Sequence, residues 1–337
     1  MAQSLTRFPT RGKGIIHVTE ENKLSARIPP ELAGQRLDQA LATLFADITR
    51  SHLQQWIKGG HVRLNDRLPL KRDKVKEGDA VEIRVPAAAE TGWKAQAIPL
   101  EIVYEDDDIL VVNKPPGLVV HPGAGNAEGT LLNALLNHAP TLATLPRAGI
   151  VHRLDKNTSG LLVVAKTETA RQNLIEQLQE RTVEREYVTI VNGVMISGGT
   201  VDEPIGRHRA DRTRMAVSSQ GRPAISHYRV VKKYRAHTLV QVKLESGRTH
   251  QIRVHMAHVH YPVVGDPVYG GRLRVPRDCS ERLRNLLHDF KRQALHALKL
   301  ALIHPVTGKR IQWASSVPED MSELMEALAK DVKAHAD

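Results

Sequence analysis

The sequence predicts an α+β protein made of a small N-terminal domain and a larger mixed domain. Between residues 96 and 325, short apolar runs of strand length and amphipathic runs of helix length follow one another without regular alternation. Regular alternation is typical of a doubly wound parallel sheet, so its absence favours a mixed α+β domain. Proline and three alanines within residues 86–95 interrupt the pattern and predict a linker.

The smaller domain, residues 27–85, is predicted to contain two helices followed by short strands. Apolar residues recur at helical spacing over 37–44 and again over 53–57, and a pair of glycines ends the second helix. Alternating apolar residues over 80–85 predict a strand. This pattern resembles the S4-type RNA-binding domain. The preceding residues 1–26 are polar and predict a flexible arm.

In the larger domain, short apolar runs predict strands and longer amphipathic runs predict helices. The predicted strands cover residues 109–113, 161–165, 187–191, 228–232 and 239–244. The predicted helices cover residues 131–137, 170–179 and 249–258. No stretch has the roughly 20 consecutive apolar residues that a membrane span needs.

The composition indicates a polyanionic partner. The formal net charge is +11 and the pI is about 9.8. Such an excess of cations favours nucleic acid through counterion release and steering, although it also serves solubility alone. The single cysteine, Cys279, excludes an internal disulfide and the paired-cysteine zinc signature of nucleobase deaminases. We expect a cytosolic, monomeric protein that does not associate with membranes.

Most of the excess of positive over negative charge lies in one segment, residues 205–235, which contains a single acid. A solvated surface usually mixes both signs, so this segment is expected to contact RNA, with Tyr228 and Tyr234 stacking on bases. The alternative is a solvated hairpin face. The residues of this segment that we expect to bind RNA are Arg207, Arg209, Arg212, Arg214, Arg222 and Lys232.

Motifs of several other enzyme classes do not fit. The chain has neither a phosphate-binding G-x-x-x-x-G-K-[ST] string nor the G-x-S-x-G elbow of a hydrolase. His152, Asp155 and Ser159 lie close together, but a catalytic triad usually gathers its members from distant segments. Four histidines within residues 250–260 do not follow H-E-x-x-H, which favours core or surface histidines over metal ligands.

Asp155 is the strongest candidate for a catalytic group. It lies between two short apolar runs and is therefore predicted to occupy a loop, where catalytic groups are often held. Arg153 and Lys156 are beside it. Nearby cations favour the ionised carboxylate that a nucleophile or a base requires. Without further context, an aspartate at such a position more often opens a turn.

Taken together, the motifs of the larger domain resemble those of the RluA-type pseudouridine synthases. The segments that carry the resemblance, in chain order, are Asn-Lys-Pro-Pro-Gly at 113–117 with His-Pro at 121–122, His-Arg-Leu-Asp at 152–155 with Thr-Ser-Gly at 158–160, Arg-Glu-Tyr at 185–187, Gly-Arg-Thr-His-Gln-Ile-Arg-Val-His at 247–255, and Ala-Leu-His-Ala at 294–297 with His-Pro at 304–305. They span nearly the whole larger domain, and the S4-like domain also fits this family.

The resemblance implies a mixed, mostly antiparallel sheet and an enzyme that isomerises uridine in RNA, above all in large-subunit ribosomal RNA. Asp155 would attack the target nucleotide at the base or the sugar. Tyr187 would pack on the target base, and Arg253 would pair with Asp155 and orient it. Arg153 is expected to fill the space that an extruded uridine leaves in the RNA stack. The reaction needs neither a metal nor a cofactor.

Three alternatives remain open. One is a related synthase that acts on other rRNA or tRNA uridines. Another is a non-catalytic RNA-binding protein of ribosome assembly, which suits the charge but does not explain the set of Asp155, Tyr187 and Arg253. A retaining glycosidase also uses a carboxylate nucleophile, but it needs a second carboxylate as the acid, and aromatic residues are only 4% here. The sequence also leaves open whether naked RNA or a ribosomal particle is the substrate.

Overall fold

The computed structural model describes residues 17–19, 23–45, 48, 50–84, 93–123, 125–211 and 213–336. The chain divides into two compact units, Met1–Gly92 and Trp93–Asp337. This boundary falls within the predicted linker, of which residues 86–92 lie outside the described part of the chain. Among the helices of the described residues, none combines the length and the apolar character needed to cross a membrane.

The first unit combines a four-stranded antiparallel sheet with two helices. Its elements are β1 (His17–Thr19), β2 (Lys23–Arg27), α1 (Leu37–Leu44), α2 (Arg50–Lys58), β3 (Val62–Leu64) and β4 (Ala80–Arg84). The strand order is β1-β2-β4-β3. Its core includes Leu37, Leu41, Leu53, Val62 and Ile83. Both helices and the strand at residues 80–84 lie where apolar periodicity predicts them.

The first unit begins earlier than predicted. β1 and most of β2 lie inside residues 1–26, the segment predicted to be a flexible arm, and β2 pairs along its whole length with β4. Ala26 is buried and Leu24 is partly buried against the same core, which explains the pairing. The apolar alternation here covers too few residues, among polar neighbours, to stand out in the sequence. The arm prediction for residues 1–16 lies outside the described residues.

The second unit is built on a mixed sheet. Its elements are β5 (Ile102–Glu105), β6 (Ile109–Lys114), α3 (Leu131–His138), β7 (Ser159–Ala165), α4 (Glu168–Gln179), β8 (Glu184–Asn192), β9 (Gly199–Asp202), β10 (Ile205–Arg207), β11 (Met215–Val217), β12 (Ile225–Lys233), β13 (His237–Leu244), α5 (Gln251–His258), α6 (Glu281–Asp289), β14 (Leu295–Ile303), β15 (Arg310–Ala314) and α7 (Glu319–Ala334). The order is β5-β6-β7-β14-β8-β13-β12-β9, and β15 pairs with β14. The predicted α+β class is confirmed.

The sheet is mostly antiparallel and packed on both faces. Of the pairings between its described strands, only β7 with β14 is parallel. Leu110 and Val112 of β6 contribute to one core, whereas Ile109 and Val111 contribute to the other. A strand covered on both faces reads as a continuous apolar run, which is why β6 and β7 are evident in the sequence.

The first residues of β7 pair with β14 at a close approach of the two backbones. Gly160 has a φ of +112°, and a Cβ added there would lie 2.3 Å from the carbonyl oxygen of Ala297. Only glycine fits this approach of the two backbones.

The domain also extends beyond its predicted end at residue 325, because α7 continues to Ala334 and buries Leu324 and Leu328.

Candidate active site

Asp155 lies on the loop that precedes β7, as the sequence predicts. The loop is fixed on both sides of this residue. The Thr158 amide donates to the Asp155 carbonyl at 3.1 Å, and the Gly117 amide donates to the Lys156 carbonyl at 2.9 Å. Lys114 Nζ donates to the same Lys156 carbonyl at 3.0 Å. The Asp155 side chain is 14% exposed, so it is held in place yet accessible.

Arg253, on α5, joins Asp155 to a second carboxylate. Its Nη1 donates to Asp155 Oδ2 at 3.0 Å. Its Nε and Nη2 donate to the two oxygens of Asp266 at 2.7 and 2.9 Å. Asp266 also accepts the Val268 and Tyr269 amides at 2.8 and 3.0 Å. The bidentate contact with Asp266 therefore fixes the guanidinium and leaves one of its N–H groups for Asp155.

Electrostatics keep this pair charged. Burial opposes the charge on Arg253, but the hydrogen bonds and charges of Asp266 and Asp155 outweigh it and raise the pKa of Arg253. Burial likewise opposes the charge on Asp266, and the contacts with Arg253 outweigh it and lower the pKa of Asp266. A permanently charged guanidinium thus contacts Asp155 in a site that is largely closed to water.

Tyr187 lies in β8, opposite Val242 of β13 and Ala297 of β14. It is 7% exposed. Its hydroxyl has no hydrogen-bond partner within the described part of the chain. Burial raises the pKa of Tyr187, the Arg185 charge opposes this rise, and the Asp155 charge adds to it. The phenol is therefore neutral at neutral pH, which suits contact with an uncharged base.

Two rings complete the surroundings of Asp155. His250 has a φ of 58°, in the left-handed region, and its Nε2 lies 3.9 Å from Asp155 Oδ1. Its Nδ1 lies 2.9 Å from the Tyr269 hydroxyl. The Tyr269 ring centroid lies 5.0 Å from Arg253 Cζ, a cation–π distance. Burial lowers the pKa of His250; the Arg253 charge acts in the same direction and the Asp155 charge opposes it.

Lys114 holds the loop that carries Asp155. It is 1% exposed, and its Nζ donates to the carbonyls of Pro115, Leu118 and Lys156 at 2.7, 3.0 and 3.0 Å. Burial lowers the pKa of Lys114 to about 7, although the Asp155 charge acts in the opposite direction. Three carbonyl acceptors match the three hydrogens of an ammonium group, so these hydrogen bonds offset part of the cost of burying its charge.

The residues predicted to contact RNA are mostly on the surface. Those exposed are Arg153, Arg207, Arg209, Arg222 and Lys232, whereas Arg212 lies outside the described residues. Arg214 differs from these exposed residues because it is half-buried and its guanidinium contacts other parts of the protein. Its Nη2 donates to the Val268 carbonyl at 2.8 Å, and its Cζ lies 5.3 Å from the Tyr269 ring centroid.

The prediction that Tyr234 stacks on bases is wrong. Tyr234 is 4% exposed and belongs to the main core, and burial raises its pKa. Its ring is covered by Lys232, whose Nζ lies 5.6 Å from the centroid. Tyr228 is half-buried against the same core. The cationic neighbours suggested a surface position, but the turn after β12 directs the Tyr234 ring inward.

Residues that suggested other chemistry have structural partners. Ser159 Oγ bonds to His296 Nδ1 at 2.9 Å, and His152 Nε2 accepts the Val163 amide at 3.1 Å. Ser159 and His152 are therefore not paired as in a hydrolase. His255 uses both ring nitrogens on protein atoms, Ser226 Oγ and a backbone carbonyl. It is a core histidine.

Within the described residues, Asp106, Asp108 and His304 have the proximity of a metal-ligand set. The hydrogen bonds of His304 do not fit this use. Its Nδ1 accepts the Val306 and Thr307 amides at 3.2 and 3.0 Å, which leaves the ring hydrogen on Nε2. That N–H donates to Asp106 Oδ2 at 2.9 Å, so His304 is a donor there and not a ligand.

Sequence reasoning missed several members of the site. It gave no role to Lys114, His250, Asp266 or Tyr269, although each stands in a segment that is similar to the family motifs or directly after one. The distances between these segments are visible only in the fold. Arg185 was also missed: it is 6% exposed, its Nε has no partner within the described residues, and burial lowers its pKa.

The described site combines a loop carboxylate, an arginine in contact with it and a buried tyrosine, an arrangement that can hold a carboxylate for nucleophilic attack. Residues 108–258 match the family model of RNA pseudouridylate synthase, and residues 35–81 match the S4 domain. The chain belongs to the RNA pseudouridylate synthase family. It is therefore an isomerase that acts on RNA.

Close relatives cover almost the whole chain. The ribosomal large subunit pseudouridine synthase D of Haemophilus influenzae is 54% identical over 315 residues, which are 93% of this chain and 97% of the relative. The protein of the same name in Pseudomonas aeruginosa is 55% identical over 310 residues, 92% of this chain and 97% of that one. Among solved structures, human RNA pseudouridylate synthase domain containing 4 matches with a TM-score of 0.54 and 27% identity, covering 68% of this chain and 93% of its own.

Proposed function

We propose that this enzyme converts uridine to pseudouridine in large-subunit ribosomal RNA, with Asp155 as the nucleophile. The observation that carries the proposal is the contact of Asp155 Oδ2 with a guanidinium that Asp266 holds in a fixed orientation. The substrate is inferred from the large-subunit synthases that are 54% and 55% identical to the chain. A related synthase acting on other uridines is the alternative within the family.

The reaction is an isomerisation with no net change in atoms or electrons. The N1–C1′ bond of the target uridine breaks while the Asp155 carboxylate attacks the nucleotide, and the electron pair of that bond remains on the uracil. The detached base rotates and a C5–C1′ bond forms. The bond between Asp155 and the nucleotide breaks with its electron pair returning to the carboxylate, C5 loses its proton and N1 gains one. Arg253 orients Asp155 in the free enzyme, which preorganises the attack before the RNA arrives.

Tyr187 and Arg153 are assigned to handling the base. The buried ring of Tyr187 provides an apolar surface for the uracil, and its raised pKa keeps the phenol neutral in the free enzyme. Arg153 is exposed and directly precedes Leu154 and Asp155, so it can occupy the position of the extruded nucleotide. A planar guanidinium stacks on neighbouring bases and offsets part of the few kcal/mol that extrusion costs.

The basic segment 205–235 is assigned to the RNA backbone, and the S4 domain to further RNA contacts. A monomer acting on ribosomal RNA or on a large-subunit particle is sufficient for this reaction. Each phosphate contact on single-stranded RNA contributes about 0.7 to the salt-dependence slope of binding.

The proposal is tested by tritium release from large-subunit ribosomal RNA labelled at uridine C5. We expect release with the native protein and none above background with Asp155→Ala or Asp155→Asn. The asparagine variant is the matched control, since it keeps the shape of the side chain and removes only its charge. RNA binding by both variants is measured alongside and is expected to match that of the native protein.

Mapping the product positions identifies the target uridines. Release from tRNA but not from ribosomal RNA would replace the proposed substrate with another RNA. If neither naked RNA nor isolated large-subunit particles released tritium with the native protein, the isomerase assignment of this site would be overturned in favour of RNA binding alone.

A further inference from the structure

His250 adopts a backbone conformation that its residue type rarely takes, with φ 58° and ψ 20° directly before α5. A non-glycine residue in the left-handed region costs about 1–3 kcal/mol and persists only where its surroundings impose it, often at active sites. This conformation places the ring on the side of Asp155 that Arg253 does not cover. Arg253 contacts Oδ2, and His250 Nε2 lies 3.9 Å from Oδ1.

Hydrogen bonding determines which ring nitrogen of His250 carries the hydrogen. The Tyr269 hydroxyl accepts the Met215 amide at 2.9 Å, so its own hydrogen is available for His250 Nδ1, also at 2.9 Å. A neutral imidazole that accepts at Nδ1 carries its hydrogen at Nε2. In the tautomer that accepts from the Tyr269 hydroxyl, the N–H of His250 faces Asp155.

Tyr269 also contacts the basic segment. Met215 begins β11, and the preceding Arg214 lies over the Tyr269 ring while donating to the Val268 carbonyl at 2.8 Å. The backbone of the hairpin formed by β10 and β11 thus holds the hydroxyl that orients His250. A displacement of this hairpin would therefore alter the hydrogen bond at His250 Nδ1.

We propose that His250 is a positioning residue for the reaction, and that its Nε2–H steadies the Oδ1 edge of Asp155 in the tautomer that Tyr269 selects. The inference rests on the proposed role of Asp155. The separation of 3.9 Å is longer than a hydrogen bond. Catalytic hydrogen bonds of free enzymes are often long and tighten once substrate is bound, here when RNA engages the basic hairpin. Two donors then fix the two carboxylate oxygens.

Two substitutions of His250 separate a positioning role from a structural one. In His250→Gln, the side-chain amide nitrogen reaches the position of Nε2 and preserves the donor toward Asp155. In His250→Asn, the amide matches Nδ1 and preserves the contact with Tyr269, but it is too short to approach Asp155. Asparagine also tolerates the left-handed backbone better than glutamine does.

If the role of His250 is structural, His250→Asn should be both more active and more stable than His250→Gln. If it is a positioning role, His250→Gln should be the more active of the two, although His250→Asn remains the more stable. We expect the single-turnover rate constant to fall about tenfold or more in His250→Asn and to stay within about threefold of native in His250→Gln. The RNA dissociation constant is expected to be unchanged in both variants. Thermal denaturation is expected to show the opposite ranking, with His250→Asn the more stable of the two.

Tyr269→Phe tests the second half of the proposal in a protein with native His250. It removes the hydroxyl and keeps the ring against Arg253, so we expect a fall in the rate of about tenfold with unchanged RNA affinity. A rate for His250→Asn equal to or above that of His250→Gln would overturn the inference, and so would a native rate in Tyr269→Phe. These outcomes leave native tritium release intact, whereas failure of the proposed function abolishes it.

Discussion

The contact of Arg253 with two carboxylates yields the sharpest prediction about stability. Arg253→Met removes the cation and leaves Asp266, whose side chain has no exposed surface, with only two backbone N–H donors. Breaking a buried ion pair by removing one partner costs about 3–5 kcal/mol, because the remaining charge stays buried without compensation. We therefore expect the free energy of unfolding of the larger unit to fall by about 3–5 kcal/mol.

A second substitution should restore stability but not activity. Adding Asp266→Asn to Arg253→Met removes the uncompensated charge, and replacing both partners of a polar contact is far less costly than replacing one. We expect the double variant to regain at least about 1–2 kcal/mol of the loss. Tritium release stays abolished in both proteins, since Asp155 lacks its guanidinium in each.

Urea unfolding followed by amide hydrogen exchange in β13 measures these changes in the unit that holds the site. The pH dependence provides an internal check. The pKa of Asp266 lies below its ordinary value of 3.8, so its contribution to stability is present above that pH and is lost as the pH falls through the folded-state pKa. The stability difference between the native protein and Arg253→Met should therefore shrink in acid.

A loss below about 1 kcal/mol in Arg253→Met would refute the reasoning, as that is the range of an exposed pair. A double variant no more stable than the single one would refute it as well, because the loss would then come from packing and not from the charge on Asp266. Recovery of tritium release in the double variant would show that Asp155 acts without Arg253.

Three further predictions concern other parts of the molecule. Gly160→Ala should lower the free energy of unfolding by about 2–5 kcal/mol in urea titrations, from backbone strain and overpacking. With the pKa of Lys114 at about 7 and below that of the unfolded chain, native stability should rise between pH 7 and 9, and Lys114→Met should lack roughly 1–2 kcal/mol of this rise. Combined Arg207→Ala, Arg209→Ala and Arg222→Ala should lower the salt-dependence slope of RNA binding by about 2; an unchanged slope would exclude these contacts.

Strands with both faces buried could be predicted, because a short continuous apolar run fits few structures other than a buried strand. β6, β7, β8 and β13 all lie where their runs predict them. β1 and β2 were missed because such short strands among polar neighbours carry too little apolar signal. The burial of Tyr234 was missed because the many cations around it suggested that the whole segment is exposed. The direction of this one side chain depends on the turn after β12, which the charge of the segment does not reveal.

The candidate site was predictable only as far as its motifs extend. The resemblance correctly brought Arg253 to Asp155 across the sequence, a pairing that no periodicity or spacing indicates. Asp266 and Tyr269 had no visible role, since their partners lie on other segments and their importance depends on distances of a few ångströms. The left-handed backbone of His250 also leaves no trace in the sequence, because histidine gives no signal for that conformation.

The pairing of β7 and β8 with β14 bears on when the site can assemble during translation. β14 lies between β7 and β8 in the sheet although it follows both by more than a hundred residues in the chain. Asp155 precedes β7 and Tyr187 lies on β8, so neither side of the site has its shared neighbour until β14 has left the ribosome. A nascent chain that contains Asp155, Tyr187 and Arg253 but not β14 therefore still lacks the strand that joins the two sides of the site.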